Sequence, residues 1–196
     1  MCIIIVKPKG ATLPSPTILS GCFNRNPDGA GLMYFDHERG LILRKGIMDK
    51  EEFLAVCERL RERFPNSPVI IHCRWATDGG VQPGLCHPFP IDNRKNVLLA
   101  RAPSNVKIAV AHNGVIPRWS GLGGDVSDTF LFVKNDLFPA FEANPNYLTD
   151  VNNRRYLAEI SHSRLAFMTA TGQAWGIGKF YNYGGVYYSK PLSFFA

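Results

Sequence analysis

The sequence predicts an α+β fold, and three observations lead to that prediction. Short runs of β-branched and aromatic residues recur along the whole chain, whereas helical periodicity of apolar residues is clear at only a few separate places. Turn-forming Gly, Pro, Asn and Asp residues separate these segments. There is no internal repeat, low-complexity tract or linker, so we predict one domain over residues 1–196, long enough to bury its own core.

The composition is that of an ordinary soluble globular protein, with 45% hydrophobic and 19% charged residues. The formal charge is +6, but the basic residues are scattered, so we do not expect nucleic-acid binding. No apolar run approaches the ~20 residues that span a bilayer, and the opening apolar stretch is too short for a signal peptide, so no membrane partner is expected. The five widely spread cysteines favour reduced thiols and a cytoplasmic location.

The first third of the chain is predicted to form a strand, a short helix and a β-hairpin. The strand spans residues 2–6 and begins unusually close to the start. Ser15 or Thr17 is placed to cap the short helix, since both precede a short apolar repeat. The hairpin follows the turn sequence NPDGAGL and has strands at 31–35 and 41–45.

The segment from Asp49 to Phe64 is the clearest helix. Asp49 with Glu52 three residues later is typical of a capping box. Apolar side chains repeat on one face, and Cys57 lies among them, so we expect that thiol in the core.

The second half of the chain alternates strands with two helical segments. Ser127 is predicted to cap one helix with Asp128 in its first turn, where a carboxylate suits the helix dipole. The polar segment 139–162 is predicted to be helical in part, notably at 154–160. The predicted strands are 97–100, 107–111, 164–170, 173–179 and 185–189.

The stretch VIIHCRWATDGGVQPGLCHPFP, residues 69–90, combines a buried strand with a Gly/Pro-rich loop. Arg74 directly follows the apolar run, and a guanidinium at the end of a buried strand requires an anionic partner. Two interpretations stay open: a structural ion pair with Asp78 or another acid, or a bound carboxylate. The stretch AHNGVI, residues 111–116, has the same form, a strand followed by polar residues and Gly. Two such strand ends predict one shared site.

Cys2 is a candidate nucleophile because of its position. Methionine aminopeptidase removes Met1 when a small residue follows, and this processing leaves Cys2 with both a thiol and a free α-amine. An α-amine has an unperturbed pKa of about 7.7–8.0 and can accept the thiol proton. The alternative is that Cys2 is simply the first residue of a strand.

Six motifs occur together in this chain: a strand-opening Cys2, NPDGAGL, HCRWATDGG, CHPF, AHNGVI and SDT. In this order they resemble the class II glutamine amidotransferase domain of the N-terminal-nucleophile hydrolases, and the resemblance extends to GVYYSKPLSF near the end. The resemblance implies a four-layer αββα sandwich, in which two sheets pack face to face between helices. It also implies hydrolysis of L-glutamine to glutamate and ammonia, with no metal or organic cofactor.

The resemblance assigns catalytic roles to three residues. Cys2 corresponds to the nucleophile that forms a thioester with the glutamine side chain, with its own amine as the base. The Asn113 side chain and the Gly114 backbone N–H correspond to the oxyanion hole. Loss of one donor from such a hole typically lowers the rate by about 10²–10³.

The remaining correspondences concern glutamine binding. Arg74 corresponds to the clamp on the α-carboxylate, Thr77 to a supporting contact, and Asp128 to the group that binds the α-ammonium. The loop 78–87 corresponds to the flap that closes over the substrate. His87 completes the substrate-binding set as the residue that anchors this loop.

The chain departs from the usual family pattern at Ile3, where the family often has Gly, and at Asp78, where it often has His. Asp78 is expected to compete for the Arg74 guanidinium. The resemblance uses the whole chain and leaves no residues for a synthase or ligase domain, so we expect a separate protein partner that consumes the ammonia. The ammonia acceptor and the oligomeric state are not predicted.

Three other interpretations stay open. The pairs His72-Cys73 and Cys86-His87 have the side chains of a zinc site, although adjacent strand residues point to opposite faces and do not converge. The same fold can also hydrolyse a different amide through an N-terminal cysteine. Alternatively, it can serve as a catalytically silent binding or regulatory module.

Overall fold

The structure, a computed structural model, describes residues 1–194. The strands are β1 Ile3–Lys7, β2 Ala30–Asp36, β3 Gly40–Ile47, β4 Val69–Cys73, β5 Phe89–Pro90, β6 Ile108–Asn113, β7 Arg164–Thr169, β8 Ala174–Ile177, β9 Tyr181–Tyr183 and β10 Val186–Tyr188. They form two antiparallel sheets, the first in the order β3-β2-β4-β1-β10-β9 and the second in the order β5-β6-β7-β8. With several helices beside these sheets, the predicted α+β class is confirmed.

The helices are α1 Pro16–Arg25, α2 Lys50–Arg63, α3 Lys95–Leu99, α4 Asp128–Phe132, α5 Phe138–Ala143 and α6 Val151–Ser161, with a π-helical turn at Val133–Leu137 between α4 and α5 and 3-10 turns at Pro83–Leu85, Tyr147–Thr149 and Leu192–Phe194. The predicted caps are confirmed, because the side chains of Ser15, Asp49 and Ser127 each accept a backbone N–H from the first turn. At α1 the cap is therefore Ser15 rather than Thr17. No helix within residues 1–194 is long and apolar enough to cross a membrane.

The register of β1 sets the position of Cys2. Strand β1 lies inside the first sheet, between β4 and β10, and Ile3 pairs with Cys73 of β4. Because the two strands are antiparallel, Cys2 stands opposite Arg74, just beyond the last pair. The start of β1 and the end of β4 thus present a thiol and a guanidinium at one edge of the sheet.

The two sheets pack face to face, and helices cover their outer faces. Helices α1 and α2 pack on the first sheet, where the rings of Phe23 and Phe53 lie 5.5 Å apart between centroids. Helices α4 to α6 pack on the second sheet around Phe167. The cluster between the sheets combines large and small side chains, namely Ile4, Val6, Met33 and Ile70 from the first sheet and Ala109, Ala111, Ala166 and Met168 from the second. The small residues allow close approach of the second sheet to β1.

The predicted strand at 97–100 is wrong, since this segment lies largely in helix α3. Asp92 Oδ1 accepts the Arg94 N–H at 2.8 Å, and the Arg94 carbonyl then accepts the first helical N–H groups. A four-residue apolar run is compatible with either a strand or a short buried helix, so here the preceding turn decides. Strand β9 is absent from the prediction because its sequence, Tyr-Asn-Tyr, is short and mostly exposed.

Helix α2 follows its prediction except at the capping box. Asp49 Oδ1 accepts the Glu52 N–H at 2.8 Å, but the Glu52 carboxylate pairs with Arg44 of β3 at 2.7 Å instead of returning to the cap. Cys57 is 1% exposed on the apolar face, as predicted. The helix is thus tied to the edge strand of the sheet that it covers.

Candidate functional site

Cys2 lies at the edge of the first sheet where β4 ends. Its Sγ accepts the Trp75 N–H at 3.4 Å, and the thiol donates to the Trp75 carbonyl at 3.5 Å. Cys2 is half-buried, while Trp75 is 48% exposed. The backbone of Trp75 therefore positions the sulfur and leaves the indole at the surface.

The sulfur lies in the fields of two opposite charges. Burial raises the pKa of the Cys2 thiol above its ordinary value and is the largest influence on it. The hydrogen bond with Trp75, the amino terminus and the Arg74 guanidinium lower this pKa, whereas the Asp128 carboxylate raises it. Two candidate residues from distant parts of the sequence thus act on the same thiol.

Arg74 is 3% exposed, and its guanidinium holds the loop that follows it. Nη1 donates to the Gly80 carbonyl at 2.7 Å, and Nη2 donates to the Asp78 carbonyl at 3.0 Å. Within residues 1–194 no carboxylate lies within salt-bridge distance of this guanidinium. The interpretation as an ion pair with Asp78 is therefore wrong, because the contact is made by the Asp78 backbone. The guanidinium has further N–H groups for an anion.

The turn NPDGAGL supports the same edge of the sheet. Asp28 Oδ2 accepts the Ala76 N–H at 2.8 Å, and the Asp28 N–H donates to the Arg74 carbonyl at 3.2 Å. The buried Asn26 donates from Nδ2 to the Met1 carbonyl at 2.9 Å. Sequence reasoning treated this segment as a turn and a family motif, whereas Asn26 and Asp28 hold the two chain segments beside the sulfur. The motif itself was the signal that marked them.

Asn113 and Gly114 lie at the end of β6, which contacts β1 across the interface between the sheets. Asn113 is fully buried, and its Nδ2 donates to Ser189 Oγ at 2.9 Å. Gly114 has a φ of +156°, and a Cβ at this position lies 2.0 Å from Ser163 Oγ. A side chain is therefore excluded at Gly114, and only glycine allows this turn of the chain.

Asp128 connects that turn to the start of α4. It is 5% exposed, and its Oδ2 accepts the Ile116 N–H at 2.7 Å. Its Oδ1 accepts the Thr129 N–H at 2.6 Å. The carboxylate thus fixes the backbone two residues after Gly114, and its Oδ2 keeps a lone pair for a further donor.

Three buried histidines lie beneath these residues. His72 Nε2 is 3.0 Å from the His112 carbonyl and 2.8 Å from His87 Nδ1, and it carries the hydrogen because a carbonyl only accepts. His112 Nδ1 lies 2.7 Å from Thr129 Oγ1, and this hydroxyl donates to Asp128 at 3.1 Å. Burial lowers the pKa of His72 to about 3 and that of His112 to about 4, and it lowers the pKa of His87 well below the ordinary value. All three are neutral at pH 7. That these three histidines lie close together was not predicted from the sequence.

The loop 78–87 is held near both ends. Arg74 binds its start, and Lys45 of β3, which is fully buried, donates to the Gly84 carbonyl at 2.8 Å near its end. Burial lowers the pKa of Lys45 to about 7. Sequence reasoning missed Lys45, since a lysine in an exposed-looking hairpin strand gives no signal of this contact.

The structure places most of the predicted site residues around the sulfur or on the facing strand, namely Cys2, Arg74, Asn113, Gly114 and Asp128. Thr77 stands apart, exposed and directly before the loop 78–87, and its side chain makes no hydrogen bond within residues 1–194. His87 also stands apart, 5% exposed, with its ring against His72 and Phe89. It occupies a loop-anchoring position, and its part in substrate binding stays a prediction.

The zinc interpretation finds no support in the positions of its residues. His72 faces the second sheet, where it contacts the His112 carbonyl, whereas Cys73 packs in the cluster beneath α1 and α2. Cys86 Sγ contacts Met48 at 4.0 Å. In the part of the chain that the structure describes, no three or more His, Cys, Asp or Glu side chains are grouped to hold a metal ion.

Comparison with known proteins gives one informative similarity. No family model matches the chain. Over 116 residues, which are 58% of the chain, it is 32% identical to the glutamine–fructose-6-phosphate aminotransferase (isomerizing) of Chlamydia caviae. The matched segment covers 17% of the length of that enzyme.

Proposed function

We propose that this chain is a class II glutamine amidotransferase domain, which releases ammonia from L-glutamine through a thioester on Cys2. The proposal rests above all on the Cys2 sulfur, whose pKa a buried guanidinium lowers and a buried carboxylate raises. A free α-amino acid carries the complementary pair, an α-carboxylate and an α-ammonium. The similarity to an aminotransferase named for glutamine supports the same substrate class.

The reaction begins with removal of Met1, because the nitrogen of Cys2 is otherwise an amide and cannot act as a base. The free amine then accepts the thiol proton, and Sγ attacks the side-chain carbonyl of glutamine. The resulting oxyanion is stabilised by the Asn113 carboxamide and the Gly114 N–H. Collapse of the tetrahedral intermediate returns the proton to the leaving nitrogen and releases ammonia. Water then hydrolyses the thioester to glutamate and regenerates the thiol.

Substrate binding uses the two buried charges. The Arg74 guanidinium already donates to the carbonyls of Asp78 and Gly80, so its remaining N–H groups bind the α-carboxylate. The α-ammonium binds Asp128 Oδ2, which keeps a lone pair beside its contact with the Ile116 N–H. Because Arg74 joins substrate and loop, glutamine binding and closure of the loop 78–87 are expected to occur together.

The wider expectations belong to the same proposal. Two face-to-face sheets with helices on their outer faces support the four-layer αββα architecture of the N-terminal-nucleophile hydrolases over residues 1–196. We propose a cytoplasmic enzyme that acts without a cofactor and supplies ammonia to a separate synthase or ligase subunit. Recovery of no such partner from the native host would argue against the last point.

The test measures glutamate and ammonia release from L-glutamine by protein whose intact mass confirms removal of Met1. Cys2→Ala is expected to abolish turnover, and Arg74→Ala to raise the KM for glutamine at least tenfold. Arg155→Ala is the matched control, since Arg155 is exposed and lies outside the site. Equal KM values in the two arginine variants contradict the assignment of Arg74.

Protein without Met1 that shows no turnover is examined with an electrophilic glutamine analogue. Labelling of Cys2 by the analogue indicates a glutamine site that needs a partner for turnover. Absence of both turnover and labelling refutes the proposal and favours either another amide substrate or a catalytically silent module.

A further inference from the structure

Ser189 is a buried hydroxyl that joins the two halves of the proposed site. It directly follows β10 and is fully buried. Its Oγ accepts the Ile4 N–H at 2.7 Å, and its own N–H donates to the Ile4 carbonyl at 2.9 Å. Asn113 Nδ2 donates to the same Oγ at 2.9 Å. One hydroxyl therefore contacts β1, two residues from Cys2, and the last residue of β6.

The hydrogen bonds around Ser189 leave one buried acceptor without a partner. In the arrangement above, Ser189 Oγ receives two donors, while Asn113 Oδ1 is buried and has no hydrogen-bond partner in the described part of the chain. A buried acceptor without a partner loses its hydrogen bond to water and gains none in return, which is unfavourable. A serine hydroxyl can also donate, and that capacity is unused here.

A half-turn of the Asn113 carboxamide gives its oxygen a donor and moves its N–H groups to the position without a protein partner. The half-turn exchanges Oδ1 and Nδ2 within nearly the same space, because the two groups have almost the same size. Ser189 Oγ–H then donates to Oδ1 and still accepts the Ile4 N–H. Nδ2 takes the position of the unpartnered oxygen, with both of its hydrogens available.

This orientation matters for the reaction. An oxyanion is stabilised by an N–H donor and repelled by a carbonyl oxygen, so the two orientations of Asn113 have opposite effects on the transition state. We infer that Ser189 is a positioning residue, whose hydroxyl holds Asn113 Oδ1 and thereby presents Nδ2 to the oxyanion. The inference rests on the proposed function, because it assigns a role within the same thioester chemistry.

The first experiment compares glutamine turnover by the processed wild type, Ser189→Ala and Ser189→Thr. Ser189→Ala is expected to lower kcat about tenfold or more, up to the ~10²–10³ that loss of one oxyanion donor produces, with the KM within twofold of wild type. Ser189→Thr keeps the hydroxyl and is expected to recover most of the lost kcat. Ser161→Ala is the matched control, because Ser161 is also fully buried but its Oγ has no hydrogen-bond partner among residues 1–194.

A double-mutant cycle separates positioning of Asn113 from support of β1 through Ile4. If Ser189 acts through Asn113, adding Ser189→Ala to Asn113→Ala causes no further loss of kcat. If it acts only by holding β1, the loss is the same with and without Asn113, and that result overturns the inference. Melting temperatures show whether each variant is folded. The cycle uses only the alanine variants, so it tests the inference even if the threonine of Ser189→Thr does not fit the buried position.

The outcomes distinguish this inference from the proposed function. Wild-type turnover that depends on Cys2, together with unchanged kcat in Ser189→Ala, overturns the role of Ser189 alone. Processed wild type that neither hydrolyses glutamine nor reacts with its electrophilic analogue overturns both. Loss of kcat in Ser189→Ala that vanishes in the Asn113→Ala background is the expected result.

Discussion

Acid is expected to unfold this protein through its buried histidines. His72 and His112 have folded-state pKa values of about 3 and about 4, whereas an unfolded histidine has a pKa of about 6.5. Below pH 6.5 the unfolded chain therefore binds protons that the folded chain does not. The stability that depends on these neutral rings is complete above about pH 6.5 and is lost as the pH falls toward 4 and then 3.

The size of the effect follows from the separation of the pKa values. A pH of 5 is about 1.5 units below the unfolded pKa of a histidine. Protonation of the unfolded chain therefore favours unfolding by about 2 kcal/mol for each of the two residues. Together they remove about 4 kcal/mol, and His87 acts in the same direction because its pKa is also lowered. A domain has only about 5–15 kcal/mol of total stability, so the loss is a large part of it.

Urea unfolding at pH 8, 7, 6 and 5 measures this effect. The unfolding free energy is expected to fall by about 4 kcal/mol or more between pH 7 and pH 5. His37→Gln, which removes an exposed histidine, is the control. A total change below ~1 kcal/mol between pH 8 and 5 would refute the reasoning, since the histidines would then titrate alike in both states.

Three further predictions concern the site and its loop. Gly114→Ala places a Cβ 2.0 Å from Ser163 Oγ, so the backbone that carries the Gly114 N–H must shift. The kcat for glutamine is therefore expected to fall by about 10² or more, and an unchanged kcat contradicts the oxyanion role. Asp128→Asn removes the charge that raises the Cys2 pKa, so the pH midpoint of Cys2 alkylation by iodoacetamide is expected to move to lower pH. The KM for glutamine is expected to rise. A midpoint at higher pH contradicts the prediction. Lys45→Met leaves the Gly84 carbonyl without its donor, so urea unfolding is expected to show about 1–3 kcal/mol less stability. Limited proteolysis is expected to cut the loop 78–87 faster than in the wild type. Wild-type resistance to proteolysis argues against Lys45 as an anchor of this loop.

Features that depend on local chemistry could be predicted from the sequence. The caps Ser15, Asp49 and Ser127 act on N–H groups two or three residues away, so their signal is complete within a short window. The strand prediction for 97–100 was wrong because the same apolar run is compatible with a strand or a helix. The preceding turn, in which Asp92 accepts the Arg94 N–H, favours the helix. Local sequence therefore predicts an element well only where its start signal is unambiguous.

Much of the site depends on contacts that no spacing reveals. Ser189 meets Ile4 across 185 positions and Asn113 across 76. One interpretation paired Arg74 with an acidic side chain, but its protein partners within residues 1–194 are backbone carbonyls, which every residue carries and side-chain identity cannot predict. The family resemblance predicted the roles of Cys2 and the other site residues, whereas the contacts that support them could be found only from the structure.

The charges around Cys2 favour the proposed substrate class, a free amino acid, over a simple amide. Arg74 lowers the pKa of the thiol and Asp128 raises it, so the two fields oppose each other at the sulfur. A zwitterion neutralises both charges at once, so its two effects on the pKa of the thiol oppose each other. A ligand with a carboxylate but no ammonium neutralises Arg74 alone, and the pKa of the nucleophile then rises, which disfavours attack. The neutral histidines beneath the site are consistent with this balance, because protonated rings there would add positive charge beside Arg74.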